Sequence, residues 1–228
     1  MNATKPNQRR RLTLAAVGGA LLARHGWLGA NTAGKPAVNV FDFMTQEQVS
    51  DVQAGTALID VAAACEAATM AVSRSGGGTL QFPTGVYLLA TTSKDEHSHY
   101  AYIVPRDNVS FAGAGKDATI FKIQAGENAR FAGTGGPNVI GTKQATPLRN
   151  CQFSGFTVNW NGTHNLLGPT DSPRNNAAII SVNGGIDILC DQIKIVTNPG
   201  NQCIFFPASK EQGQRNIILR NCEAYNCG

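Results

Sequence analysis

Short apolar segments recur along this chain at intervals of tens of residues: Asn108-Val-Ser-Phe111, Cys151-Gln-Phe-Ser-Gly-Phe-Thr-Val158, Ile186-Asp-Ile-Leu189 with Ile193-Lys-Ile195, and Asn216-Ile-Ile-Leu219. Taken at Phe111, Phe153, Ile188 and Ile218, the intervals are 42, 35 and 30 residues, in the range where repeats mean a solenoid or a propeller. No single segment can bury its own apolar face, so stacking each on the next is the physical solution, as in a parallel β-helix. Asn and Gly between the segments suit the corners of such a coil, where the backbone must take positive φ. With 42% apolar and 15% charged residues the chain is too apolar for disorder, and 25 glycines and 10 prolines suit strands and turns better than helical bundles.

One stretch has a helical period. Val61, Ala64, Cys65, Ala68 and Val72 fall on one face of a helix, with Asp60 as N-cap, and Ser75-Gly76-Gly77-Gly78 ends it. Strands are expected at residues 79–82 and 86–89, joined by a Pro83-Thr84-Gly85 turn.

Four motifs in order carry a family resemblance: Val38-Asn-Val-Phe-Asp42-Phe43; Asp60-Val-Ala-Ala-Ala-Cys-Glu-Ala-Ala68; Gly77-Gly-Thr-Leu-Gln-Phe-Pro83-Thr-Gly85-Val-Tyr87; and Asn108-Val-Ser-Phe-Ala-Gly113-Ala-Gly115. The succession, over residues 37–123, resembles the entry module of the pectate lyase superfamily, in its rhamnogalacturonase-like and epimerase-like branch. Where many members carry a short acidic-glycine loop, this chain has residues 44–55, a variant similar to that of phage tailspike-type proteins. The resemblance implies a mainly β protein: a single-stranded, right-handed parallel β-helix over residues 37–228 with one amino-terminal capping helix. It also implies a polysaccharide as the partner. Since Asn221-Cys-Glu-Ala-Tyr-Asn-Cys-Gly228 ends inside a repeat and members usually continue for several more coils, the domain is expected to be incomplete at its carboxyl end.

Residues 1–30 hold Lys5, Arg9, Arg10, Arg11 and Arg24 with no carboxylate, and an apolar run of about twelve residues follows the arginines, shorter than the roughly 20 that a membrane-spanning helix needs. This is the profile of a cleaved bacterial export signal, of twin-arginine or ordinary type, and it implies a periplasmic or secreted protein with no membrane anchor after cleavage. Its removal turns the formal +4 into −1, with 14 basic residues against 15 acidic ones, and the argument for nucleic acid as a partner goes with it.

Glycosidic hydrolysis wants two carboxyl groups roughly 5 to 9.5 Å apart. Asp171, Asp187, Asp191, Glu211 and Glu223 are available, but a 30-residue offset sets Asp191 over Asn221, and Asn198-Pro-Gly-Asn-Gln-Cys-Ile204 lacks the aspartate that the hydrolase branch carries. Lyase or epimerase chemistry needs a base and a positive charge, Ca2+ or Arg/Lys, to neutralise a uronate carboxylate. Arg174, Lys194, Lys210, Arg215 and Arg220 can supply that charge, and Asp171 lies three residues before Arg174. The catalytic candidates are therefore Asp171, Arg174, Asp191, Lys210 and Arg215, each of which also suits a solvated turn. Ca2+ is the one cofactor that a lyase reading would bring. Trp160 and Tyr225 are the candidates for stacking on sugar, although Trp160 suits a position covering the coil equally well. Two readings compete with an enzyme: a non-catalytic glycan-binding or tailspike-like structural β-helix, which implies a homotrimer, and an inactive truncated fragment.

Three further patterns carry less. His97-Ser98-His99 lacks the i, i+4 spacing of a helical metal site. Gly113-Ala-Gly115-Lys116 lacks the glycine and the Ser/Thr of a phosphate loop and reads as a turn. Six cysteines with no zinc-ribbon spacing, in an exported chain, point to disulfides among Cys203, Cys222 and Cys227, or to buried thiols stacked in the coils.

Overall fold

The computed structural model describes Lys35 and residues 37–94, 100–127, 137–142, 147–165, 178–182, 184–198, 202–206 and 213–227. The expected export segment, the His97–His99 pair and the candidates Asp171, Arg174 and Lys210 lie outside the described residues.

The chain enters through β1 (Ala37–Asn39), a 3-10 turn (Val40–Phe43), α1 (Gln46–Ala54) and α2 (Ala62–Arg74). The strands that follow are β2 (Gly78–Phe82), β3 (Gly85–Leu89), β4 (Ser93–Lys94), β5 (Tyr100–Ile103), β6 (Val109–Gly113) and β7 (Thr119–Ile123). Then come β8 (Asn138–Thr142), β9 (Leu148–Asn159), β10 (Ala178–Val182), β11 (Gly185–Val196), β12 (Gln202–Phe205), β13 (Arg215–Arg220) and β14 (Glu223–Tyr225).

One sheet runs β1-β2-β6-β9-β11-β13, with β3, β7 and β14 continuing it around a bend; the other runs β12-β10-β8-β5-β4. Every pairing between these strands is parallel except β4 with β5. Parallel neighbours that are distant in sequence require the chain to circle once between them, so the two sheets are the walls of one coil.

Register corrects the intervals read from sequence. Phe111 pairs with Phe153, as the 42-residue spacing implies. Phe153 pairs with Cys190, two residues beyond the expected Ile188, and Ile188 pairs with Ile217 instead of Ile218. A two-residue error keeps a side chain on the same face, whereas a one-residue error reverses it. Ile217 accordingly packs on the core while Ile218 is exposed. The run Ile217-Ile218-Leu219 is apolar at both parities, so its pattern alone does not choose between them.

Inside the coil, rings stack from turn to turn. Phe82, Phe111 and Phe153 form one column with centroids 5.7 and 5.4 Å apart, and Tyr87, Phe121 and Phe156 form a second at 5.6 and 5.2 Å. Phe82 and Phe121 join the two at 5.0 Å. The corners are columns as well. Asn108, Asn150, Asp187 and Asn216 all take positive φ, from 54 to 62°, and stack in register. Asn150 Nδ2 donates to Asn108 Oδ1 at 3.0 Å, and Asn216 Nδ2 donates to Asp187 Oδ1 at 2.7 Å. A second column, Gly155, Gln192 and Asn221, bends the long strands in their middle, which lets β9 and β11 serve two walls of the coil. Here Gly113 is required, because a Cβ would overlap the carbonyl of Gly155 in the next coil.

At the amino-terminal end α2 matches the expected helix, with Ala64, Cys65, Ala68 and Val72 buried. The N-cap position is Val61 rather than Asp60, but the Asp60 carboxylate accepts from Ala62 N at 3.0 Å and also from Ala90 N and Thr91 N, tying the helix start to the end of β3. The expectation of one helical stretch is corrected by α1. Its face contributes only Asp51 and Val52 to the interior, so it carries no apolar period. It is set instead by its ends: a Thr45–Gln48 capping box and Gly55 at φ 71°. Asp51 is buried and accepts from Thr56 Oγ1, Leu58 N and Ile59 N, which fixes the loop between the helices.

Of the two readings of the cysteines the structure has the thiols and not the disulfides among Cys203, Cys222 and Cys227: all six are free, with Cys65, Cys151 and Cys190 buried. Burial pushes these three thiols well up from the ordinary range.

Candidate functional site

Beyond the Gln192 corner, Ile193 and Ile195 point into the core, so Lys194 between them points out. Register stacks Lys194 between Thr157 and Glu223, and Val196 between Asn159 and Tyr225. The Thr157 hydroxyl donates to the carbonyl of Lys116, which anchors the 116–118 turn beside this column. Four contacts then close a cluster on the outer wall. Lys116 Nζ lies 2.5 Å from Glu223 Oε1, and the Tyr225 hydroxyl donates to Glu223 Oε2 at 2.7 Å. Lys194 Nζ donates to Asp117 Oδ1 at 3.0 Å and stands 5.8 Å from the centre of the Tyr225 ring. Tyr225 is half exposed.

The protonation states follow from these contacts. The hydrogen bond from Lys116, then that from Tyr225, holds the Glu223 carboxyl below its ordinary value. The bond to Glu223 and the nearness of its charge push the Tyr225 phenol up, and the same carboxylate raises Lys116. At neutral pH the cluster thus holds the Lys116 ammonium against the Glu223 carboxylate, with Tyr225 a neutral phenol beside them.

The remaining candidates divide. Asp191 is in register with Arg220; it accepts from Arg220 Nη2 at 2.8 Å and from Asn221 Nδ2 at 2.9 Å. Burial raises its carboxyl, but the bonds from Arg220 and Asn221 outweigh that and leave it lowered, so Asp191 is a fixed counter-ion. Arg215 is largely exposed, 3.9 Å from Asp187. Arg215 pairs with Ile186 and Asp191 with Arg220, five positions along the strand, so the two candidates are about 16 Å apart at roughly 3.3 Å per residue. The structure does not bring them together. The sugar-stacking role for Trp160 is corrected: the ring is wholly buried, its indole nitrogen lacks a hydrogen-bond partner, and it has no face to offer a ligand.

Among the described residues no group of three His, Cys, Asp or Glu side chains converges as a metal site would require. Calcium takes six to eight oxygen ligands. Asp187, Asp191 and Glu223 are each already bonded to Asn216, Arg220 or Lys116, so the described residues do not fit a Ca2+ site. Sequence reasoning named Lys194, Glu223 and Tyr225 but missed Lys116 and Asp117, which it read as a plain turn. Their partners lie several coils onward, Lys194 being 77 positions beyond Asp117.

No family model matches the chain, and no curated protein matches it in sequence. Solved structures do match. The A-module of the mannuronan C-5 epimerase AlgE6 of Azotobacter vinelandii superposes with a TM-score of 0.59 at 20% identity, over 83% of this chain and 44% of that one. The coil is a right-handed parallel β-helix. The A-module of the epimerase AlgE4 from the same organism gives a TM-score of 0.51 at 17% identity, over 84% of this chain and 50% of that one. A tailspike protein of the E. coli bacteriophage HK620, a double mutant in complex with a pentasaccharide, gives 0.58 at 17% identity, over 82% and 30%. The chain thus spans half or less of the length of these structures.

Proposed function

We propose that this chain engages an acidic polysaccharide along the outer wall of its long strands, at the Lys116–Lys194–Glu223–Tyr225 cluster. The observation that carries the reading is the cluster itself. An exposed aromatic ring is a platform for a sugar face, the Lys116 ammonium can exchange Glu223 for a uronate carboxylate while Lys194 stays beside the ring, and the Tyr225 hydroxyl offers a proton-bearing group on the same face. Neutralising the carboxylate acidifies the adjacent C–H bond, the demand shared by lyases and uronate epimerases. Hydrolysis is less well supported, because Asp191 and Glu223 face cations in the neighbouring coil instead of a second acid. The epimerase modules and the saccharide-bound tailspike that share the fold support a polysaccharide role. Asp171, Arg174 and Lys210 remain proposed contacts, and the arginine-led segment at residues 9–11 supports an exported location.

Incubation of the purified protein with a panel of uronate polymers tests the reading, with unsaturated ends read by ultraviolet absorbance and C5 inversion by proton NMR. Lys194→Met is expected to lower whichever activity or binding appears. Absence of both product and binding across the panel refutes the proposal. The second reading, a non-catalytic tailspike-like binder, is favoured by binding without turnover and by a trimer in light scattering; a monomer removes it.

A further inference from the structure

Glu223 is held in an unusual way for a surface acid. One carboxylate oxygen meets the Lys116 ammonium at 2.5 Å and the other accepts from the Tyr225 hydroxyl at 2.7 Å, while the Tyr225 ring stays half exposed beside Lys194. These are the contacts that a planar carboxylate on a sugar ring seated over Tyr225 would make. We propose that Glu223 is an internal stand-in for a uronate carboxylate, so that the subsite is self-occupied and opens only when a substrate carboxylate displaces it. The idea rests on the reading of this cluster as a polysaccharide site and adds its regulation.

The displacement is feasible because the pair is weak. Lys116 and Glu223 are 39% and 27% exposed, and a solvent-exposed ion pair is screened and contributes little. Glu223 lies on β14, in register with Lys194 of β11, and when it swings out to solvent it leaves two donors, the Lys116 ammonium and the Tyr225 hydroxyl, without the carboxylate they shared. Lys194 keeps Asp117 as its partner throughout, so only one counter-ion has to move.

Calorimetric titration of the full chain with a triuronate, a sulfated galactan trisaccharide and a neutral glucan trisaccharide tests the proposal. Glu223→Ala is expected to bind the triuronate roughly two- to fivefold more tightly than the unsubstituted chain, the scale of one exposed ion pair. The near-isosteric Glu223→Gln shifts the same way and guards against misfolding of the first variant. Adding Lys116→Gln removes the gain, and the neutral glucan shows none. If the unsubstituted chain binds triuronate and both Glu223 variants bind it equally or more weakly, the stand-in role is overturned while the polysaccharide reading stands. If no variant binds triuronate, both fall. A gain confined to the sulfated sugar overturns the carboxylate mimicry.

Discussion

Phe121 joins the two aromatic columns, and its replacement by leucine isolates what ring stacking contributes to the coil. It is wholly buried, with Phe82, Tyr87 and Phe156 at 5.0, 5.6 and 5.2 Å. Aromatic pairs are worth about 0.5–1.5 kcal/mol each beyond their buried area. Three lost pairs, partly refilled by leucine, give an expected cost of about 2 kcal/mol. Phe121→Ala should reach about 4 kcal/mol, well inside the range of about 3–5 kcal/mol for such truncations, because β7 is pinned between β3 and β9 and the void has little room to close. Urea unfolding followed by the fluorescence of the buried Trp160 reads both changes. With a slope of about 2 kcal/mol per molar, Phe121→Leu should lower the midpoint by about 1 M. Phe205→Leu, at a 37% exposed ring, should move it by no more than about 0.25 M. Equal shifts for the two leucine variants, or a shift below about 0.25 M for Phe121→Leu, would refute the view that stacked rings hold the turns together.

Other expectations rest on different contacts. Gly113→Ala drives a methyl into the Gly155 carbonyl, a backbone atom that cannot rotate away, and should cost about 2 kcal/mol or more in the same assay, while Gly213→Ala, with open space around it, should be silent. Asp191 has a lowered carboxyl in the fold, so its contribution is present above the unfolded value near pH ~4 and is lost as pH falls through the folded value. Asp191→Asn should therefore flatten the stability profile on the acid side of about pH 4, and an unchanged acid slope would count against the Arg220 pairing. Iodoacetamide on the native protein at mildly alkaline pH should spare Cys65, Cys151 and Cys190 and modify the less buried cysteines, with the modified positions identified by peptide mass spectrometry. Labelling of Cys151 as fast as Cys227 would contradict the packed coil.

Much of the coil was legible because its strands carry inward Phe, Ile and Val between turns of Asn and Gly, and those are the residues that a stacked repeat needs. Trp160 was ambiguous in sequence, since a ring in Val158-Asn-Trp-Asn-Gly162 suits either side of a wall; only the burial chooses. α1 escaped notice because periodicity reports apolar faces, and its stability comes from capping by Thr45 and Gln48. The site was half legible for a geometric reason. With the interval of 30 residues Glu223 falls opposite Ile193, an inward position, and the column that joins Thr157, Lys194 and Glu223 is invisible. With the true interval of 29 it appears at once. A single residue in register decided whether the cluster could be seen.

The corner columns bear on how such a chain can change. Successive coils from Val109 to Cys151 to Ile188 to Ile217 differ in length by up to 13 residues, yet their strands stay in step and Asn108, Asn150, Asp187 and Asn216 keep the same positive-φ corner. Differences in length are thus absorbed between the strands and not within them. One residue lost from β9 or β11 would instead mispair both neighbours at once. A lineage built this way can lengthen or shorten a coil while the register keeps count.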